Sequence, residues 1–318
     1  MYPVVREAAH ALRGRVIAAV ATPMTMEREI DSAVNREYFR GVLDSGVDGL
    51  AVALHTGRGP MLGLPERVGL VRDACALTST VVTGVSAAAG IGSATEWSSQ
   101  AALAGATSLV VLADRTRSPA WTLELYDSLW EASGLPLIVF DLYTAPYPLD
   151  DLRRLLDHPA VAGLKPARLY DAIACQNGIA AALERGRCVL SGEDRMLGPS
   201  LMWGAQGALV GIAAASAAVT TAVVSAHRSE DAESFLRASA IVDELAAVTF
   251  REPWDGYVQR MLWIAASEGL VPSRFAVDLF RPPDLLDSER VEVVEVAARA
   301  REAVRELDRV PEKDSSGP

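Results

Sequence analysis

The run Val161-Ala162-Gly163-Leu164-Lys165-Pro166-Ala167-Arg168 carries the clearest chemical signal in the chain. Of the 30 lysines and arginines only two are lysines, Lys165 and Lys313, and Lys313 sits in the polar tail Pro311–Pro318. Arginine serves for surface charge and ion pairing, but its guanidinium keeps its proton at any accessible pH and is no nucleophile. A lysine amine becomes one when burial lowers its pKa, and it then condenses with a carbonyl group to form a Schiff base. A sole lysine closing an apolar strand, with Pro166 as the stop, reads as such a nucleophile. The plainer alternative is a strand-end charge reaching water.

Other chemically able groups fall where neighbouring apolar runs end. His55-Thr56-Gly57 follows the run ending at Leu54. A histidine titrates near neutrality and suits a general acid or base; the alternative role is a hydrogen-bonded spacer. Thr56-Gly57 offers a hydroxyl and close backbone N–H groups, a cradle suited to a carboxylate, or else an ordinary turn. Thr22 follows the first run, Asp114 and Arg115 the fourth, Phe140-Asp141-Leu142-Tyr143 the fifth and Ser191-Gly192-Glu193-Asp194 the seventh. The four histidines show no ligand spacing, so no metal is expected. Neither a Gly-x-Ser-x-Gly motif nor a P-loop is present, which argues against a hydrolase triad or nucleotide chemistry.

These residues need a scaffold that gathers strand ends. Apolar runs at Val16–Val20, Gly49–Leu54, Val81–Val85, Ser108–Leu112, Pro136–Phe140, the Lys165 segment, Cys188–Ser191 and Ala208–Val210 read as strands. Helices are expected between them, over Asp31–Leu43, from near Pro65, and over Ala94–Leu103, Trp121–Ala132, Leu149–Leu156 and Tyr170–Glu184. The strands are continuous rather than alternating, as in a parallel sheet covered on both faces. Eight such units predict a (β/α)8 TIM barrel with a C-terminal helical extension, whose active site lies at the C-terminal strand ends. A doubly wound sheet is the alternative, but no Gly-x-Gly-x-x-Gly follows the first strand.

The expected division is a barrel with a short N-terminal lead-in over 1–228, a helical domain over 229–310 and a disordered tail over 311–318. Within the helical part, Ala232–Val248, Trp254–Glu268 and Ser288–Leu307 carry the pattern, the last with an amphipathic face. The segment Ala205–Ala226 is uncharged and long enough to span a bilayer. Its small residues read better as a strand followed by a small-residue helix.

Half of the 318 residues are hydrophobic, enough for a sizeable core, and the net charge is −11. No basic run occurs, which argues against nucleic acid or an anionic membrane as partner. Cys75, Cys175 and Cys188 lack ligand spacing and read as small buried hydrophobes of a reducing compartment. The first residues hold no signal-type apolar stretch, so a cytoplasmic location is expected.

Four stretches together resemble the dihydrodipicolinate synthase/N-acetylneuraminate lyase family: Val20-Ala21-Thr22-Pro23-Met24, Ala53-Leu54-His55-Thr56-Gly57-Arg58-Gly59-Pro60, Gly163-Leu164-Lys165-Pro166-Ala167 and Ser191-Gly192-Glu193-Asp194. The resemblance implies a barrel with a helical C-terminal domain, assembled as a homotetramer or dimer, that needs no cofactor. It implies that Lys165 forms the imine with pyruvate or another 2-oxo acid, with Thr22, Thr56, Gly57, Phe140 and Gly192 around the substrate. The chain also departs from the family. His55 replaces the first of two threonines, and Phe140 replaces a proton-shuttling tyrosine. Asp114-Arg115 replaces a tyrosine pair, and no arginine lies within Thr144–Tyr147 to hold a second substrate's carboxylate. His55 is therefore the expected substitute acid–base group, assisted by Asp141 or Tyr143. The reading is a lyase (aldolase) or dehydratase acting on a 2-oxo acid such as pyruvate or a 2-keto-3-deoxy sugar acid, and not a true dihydrodipicolinate synthase. The alternative is an inactive member that binds such an acid as a sensor or partner subunit.

Overall fold

The computed structural model describes residues 1–112, 114 and 116–308. Eight parallel strands close a barrel in sequence order: β1 (Val16–Ala19), β2 (Gly49–Val52), β3 (Val81–Val85), β4 (Ser108–Leu112), β5 (Leu137–Leu142), β6 (Val161–Ala167), β7 (Cys188–Ser191) and β8 (Gly207–Val210). β8 pairs back onto β1, with Ile17 opposite Leu209. Side chains alternate along each strand. Ile17, Ala51, Val82, Val110, Ile138, Ala162, Cys188 and Leu209 fill the interior. Val16, Leu50, Val81, Leu109, Leu137, Leu164, Val189 and Ala208 pack outward on the helices. Full burial of each larger side chain contributes about 1.5–3 kcal/mol.

The expected N-terminal lead-in is a helix, α1 (Pro3–Ala11). Its Val5 and Ala9, with Leu12, join the interior cluster and plug the end of the barrel opposite the active face. The crossover helices are α2 (Ser32–Asp44), α3 (Leu64–Cys75), α4 (Ile91–Ala104), α5 (Pro119–Ser133), α6 (Leu149–Asp157), α7 (Ala172–Glu184) and α8 (Leu197–Met202), and α9 (Ala217–Arg228) follows β8. Asp31 caps α2 by accepting from the N–H groups of Ala33 and Val34. α7 starts later than Tyr170 because Asp171 takes the cap position, bonding to the amide of Ala174. The short α8 gives too little periodicity to be read from sequence.

β6 departs from expectation in one respect, since Pro166 does not stop it. The strand continues to Ala167, with Asp141 of β5 opposite Pro166 and Leu142 opposite Ala167. Proline lacks only the N–H, and the Pro166 carbonyl still accepts from Gly192 at 2.7 Å.

After the barrel come α10 (Ala232–Thr249), α11 (Tyr257–Ser267) and α12 (Glu289–Asp308). α10 packs against both α9 and α12, and α11 is buried from Tyr257 through Ala265. Residues 254–256 form a separate 3-10 turn, so the expected Trp254 start of the helix is displaced to Tyr257. Among the described residues no helix is long and apolar enough to cross a membrane. The expected tail at 311–318 lies outside the described residues.

Candidate active site

Strand alternation decides which strand-end residues face the barrel mouth. On β5, Ile138 and Phe140 join the interior cluster, and on β6 Leu164 points outward, so Lys165 points in. Lys165 is 5% exposed, and its Nζ lies 3.8 Å from the centroid of the Phe140 ring. Burial lowers the amine to about 8, against the opposing pull of the Asp194 and Glu193 carboxylates. Asp194, whose carboxylate accepts from the Ile212 amide at 2.7 Å, is itself pushed up to about 7 by burial. Glu193 shapes the loop after β6, taking the amides of Arg168 and Leu169 at 2.6 and 2.8 Å. Gly192 makes room for the nucleophile. A Cβ there would stand 2.7 Å from Lys165 Nζ and 2.6 Å from the Pro166 carbonyl oxygen.

The loop after β2 is tightly wound. Ala53 and Arg58 both adopt left-handed backbone, with φ of 50° and 52°, a conformation that costs a non-glycine residue about 1–2 kcal/mol. Thr22 Oγ1 donates to the Gly57 carbonyl at 2.7 Å and pins the loop to the end of β1. Thr56 projects into the cavity, while Thr22 and Gly57 stand behind it. No acceptor among the described residues takes the backbone N–H of Thr56 or Gly57.

The C-terminal segment supplies groups that strand-end reasoning missed. Tyr257, the first residue of α11, is buried and stacks between Phe250 and His55, with ring centroids at 4.6 and 6.0 Å. Its hydroxyl donates to Thr56 Oγ1 at 3.0 Å and lies 3.2 Å from His55 Nδ1. The other histidine nitrogen, Nε2, is 3.6 Å from Asp255 Oδ1, close enough for charge attraction but long for a hydrogen bond. His55, with 21% of its side chain exposed, is lowered to about 4 by burial, against the pull of Asp255, and is neutral at pH 7. Tyr143 also turns inward and donates to Asp255 Oδ1 at 3.3 Å.

Two buried arginines hold this segment over the barrel mouth. Arg58 bridges to Asp278 at 2.7 Å and donates to the Asp255 carbonyl at 2.9 Å. Arg260, fully buried, gathers the carbonyls of Thr249, Arg251, Glu252 and Pro253 and pairs with Glu289 at 2.8 Å. No local motif announces Tyr257 or Asp255; only the fold brings Tyr257 into the cavity of Lys165 and Asp255 beside His55.

Asp141 is not part of this cavity. It follows Phe140 and so points outward, where its carboxylate pairs with Arg168 at 2.6 Å and accepts from the Tyr147 amide at 2.9 Å. The expected assisting role for Asp141 is corrected by that alternation. Asp114 lies in a different hollow, with Arg117, Tyr147 and Arg154, and Arg115 lies outside the described residues.

His55, Thr56, Phe140, Tyr143, Lys165, Gly192, Asp194, Gly211 and Tyr257 thus surround one cavity. An amine near its titration point, a hydroxyl pair and a neutral imidazole can form an imine and move protons around it.

Over 245 residues the chain is 27% identical to a 4-hydroxy-tetrahydrodipicolinate synthase of Mycolicibacterium paratuberculosis, spanning 74% of this chain and 80% of that protein. Its fold superposes on the chloride-inhibited dihydrodipicolinate synthase of Acinetobacter baumannii complexed with pyruvate, with a TM-score of 0.80 at 19% identity, covering 92% of this chain and 99% of that one. N-acetylneuraminate lyase from Fusobacterium nucleatum superposes with a TM-score of 0.76 at 16% identity, covering 92% and 98%. Residues 12–283 match the dihydrodipicolinate synthetase family, and the chain belongs to that family.

Proposed function

We propose that the protein is a Schiff-base lyase or dehydratase acting on a 2-oxo acid such as pyruvate or a 2-keto-3-deoxy sugar acid. The observation that carries this reading is Lys165: the one lysine among the described residues, buried under Phe140, with an amine lowered to about 8. In this reading Lys165 is the nucleophile, and Thr56 with the Gly57 amide holds the substrate carboxylate. The protonated imine is the electron sink for bond cleavage or proton loss. His55 serves as the acid–base group behind them.

A dihydrodipicolinate synthase proper fits less well. Phe140 brings no hydroxyl, and among the described residues no arginine lines the cavity to hold a second substrate's carboxylate. The same Phe140 favours a second reading, a non-catalytic member that binds a 2-oxo acid as a sensor or partner subunit. Retention of a lysine where arginine would grip a carboxylate better supports the enzyme. Family membership supports a cytoplasmic homo-oligomer, tetramer or dimer, that uses no cofactor.

Borohydride trapping tests the reading. The protein is incubated with pyruvate and a panel of 2-oxo acids, then reduced, and the adduct is mapped by mass spectrometry. A stable adduct on Lys165, with turnover of the best-trapped acid, is expected. An adduct without turnover selects the binding protein, and no adduct on folded protein rejects imine chemistry.

A further inference from the structure

Imine chemistry needs a proton carrier. Neutral Lys165 Nζ bonds to C2 of the 2-oxo acid. The carbonyl oxygen takes one proton from the amine and one from the carrier, then leaves as water, and a protonated imine remains. When a proton leaves C3, the C–H electron pair moves toward the imine nitrogen, giving a neutral enamine, and the carrier receives that proton. Phe140, the ring against the amine, has no exchangeable proton to offer.

Resting on the imine reading above, we propose that Tyr257, delivered from α11 rather than from a barrel strand, is the catalytic proton carrier, exchanging protons with solvent through His55 and Asp255. Its hydroxyl spans the gap between the β2 loop and the C-terminal segment, 3.0 Å from Thr56 Oγ1 and 3.2 Å from His55 Nδ1. With its hydrogen on Nε2, the nitrogen that faces the Asp255 carboxylate at 3.6 Å, the imidazole leaves Nδ1 as an acceptor. The Tyr257 hydrogen then has two acceptors, Thr56 and His55, and its two orientations are the two ends of a proton hop. Asp255, 47% exposed, opens on a hollow shared with Tyr143, Glu252 and Trp254, which puts the outer end of the path at the surface.

Burial raises the Tyr257 phenol well above its ordinary value, so a free phenolate is costly. The hydroxyl must therefore give one proton as it takes another, which is what its two-sided bonding allows. In this scheme His55 orients the phenol and passes protons between it and Asp255.

The test separates this relay from the imine reading. Pyruvate in D2O is followed by proton NMR for loss of its methyl hydrogens, alongside borohydride trapping. Wild-type protein should trap pyruvate on Lys165 and exchange its methyl hydrogens. Tyr257→Phe should still reach the Lys165 adduct at long times, while exchange falls about 100-fold, the scale of one acid–base group. His55→Gln should lower exchange less and change its pH profile, which a merely structural loss would not do. Circular dichroism confirms folding of both variants. Should Tyr257→Phe not fold, His55→Gln decides, and an unchanged pH profile overturns the relay. Exchange at the wild-type rate in Tyr257→Phe also overturns it, while the adduct keeps the imine reading intact. No adduct in the wild type rejects both.

Discussion

Phe140 lays its ring over the amine of Lys165, 3.8 Å from Nζ to the centroid. The contact has two effects that oppose each other. The ring face attracts the ammonium form, but the ring also excludes water, and burial is the larger influence, holding the amine at about 8. The rate of imine trapping is therefore expected to rise with pH and level off above about 8. Phe140→Ala admits water and should move that midpoint upward, toward the ordinary lysine range. The check is the pH profile of the borohydride-trapping rate at saturating pyruvate, and an unshifted midpoint would remove Phe140 as the cause.

Gly192, the residue after β7, faces the same amine. Its missing side chain is the space in which the lysine lies, since a Cβ would approach Nζ to 2.7 Å and the Pro166 carbonyl to 2.6 Å. The carbonyl is backbone and cannot step aside, so Gly192→Ala must displace the strand end or the lysine. Displacing a reacting group by about 1 Å costs up to ~100-fold. Trapping by Gly192→Ala should be slower than wild type by more than tenfold, in protein whose far-UV circular dichroism is unchanged. Equal trapping rates would show that the site adapts.

Asp141 and Arg168 form an ion pair on the outer side of the barrel wall, 0% and 11% exposed. Removing one member of a buried pair leaves the other charge uncompensated and destabilises by about 3–5 kcal/mol. Asp141→Asn should lower the melting temperature substantially and leave the trapping rate of the folded protein within about twofold. A normal melting temperature with lost trapping would instead place Asp141 in the chemistry.

The contrast between Asp141 and Tyr257 shows what was legible in the chain. The eight strands stand out because each is a continuous apolar run between helical stretches, and Ser108–Leu112 and Cys188–Ser191 have the expected ends. Lys165 stands out because lysine is otherwise absent from the described residues. The outward turn of Asp141 was also available: with Ile138 and Phe140 inward, a period of two places residue 141 on the other face. Tyr257 was not available. Its place beside Thr56 depends on Arg58 and Arg260 drawing residues 249–255 and 278 over the barrel, a long-range arrangement with no local periodic trace. Pro166 misled because a parallel strand tolerates proline where no ladder N–H is needed.

His55 gives a prediction that can be read from stability as well as activity. Its ordinary value is 6.5 and burial holds it at about 4 in the folded protein. Between these values the unfolded chain binds a proton that the native site refuses. Stability therefore rises with pH across this window, and falls as pH drops from 6.5 toward 4. His55→Gln keeps a polar side chain but cannot titrate, so its melting temperature should depend less steeply on pH between 4 and 6.5 than that of the wild type. Above pH 7 the two slopes should coincide, because His55 is then neutral in both states. Parallel melting curves throughout would mean that the imidazole is solvated as in a peptide, and Nδ1 would then be no fixed acceptor for Tyr257.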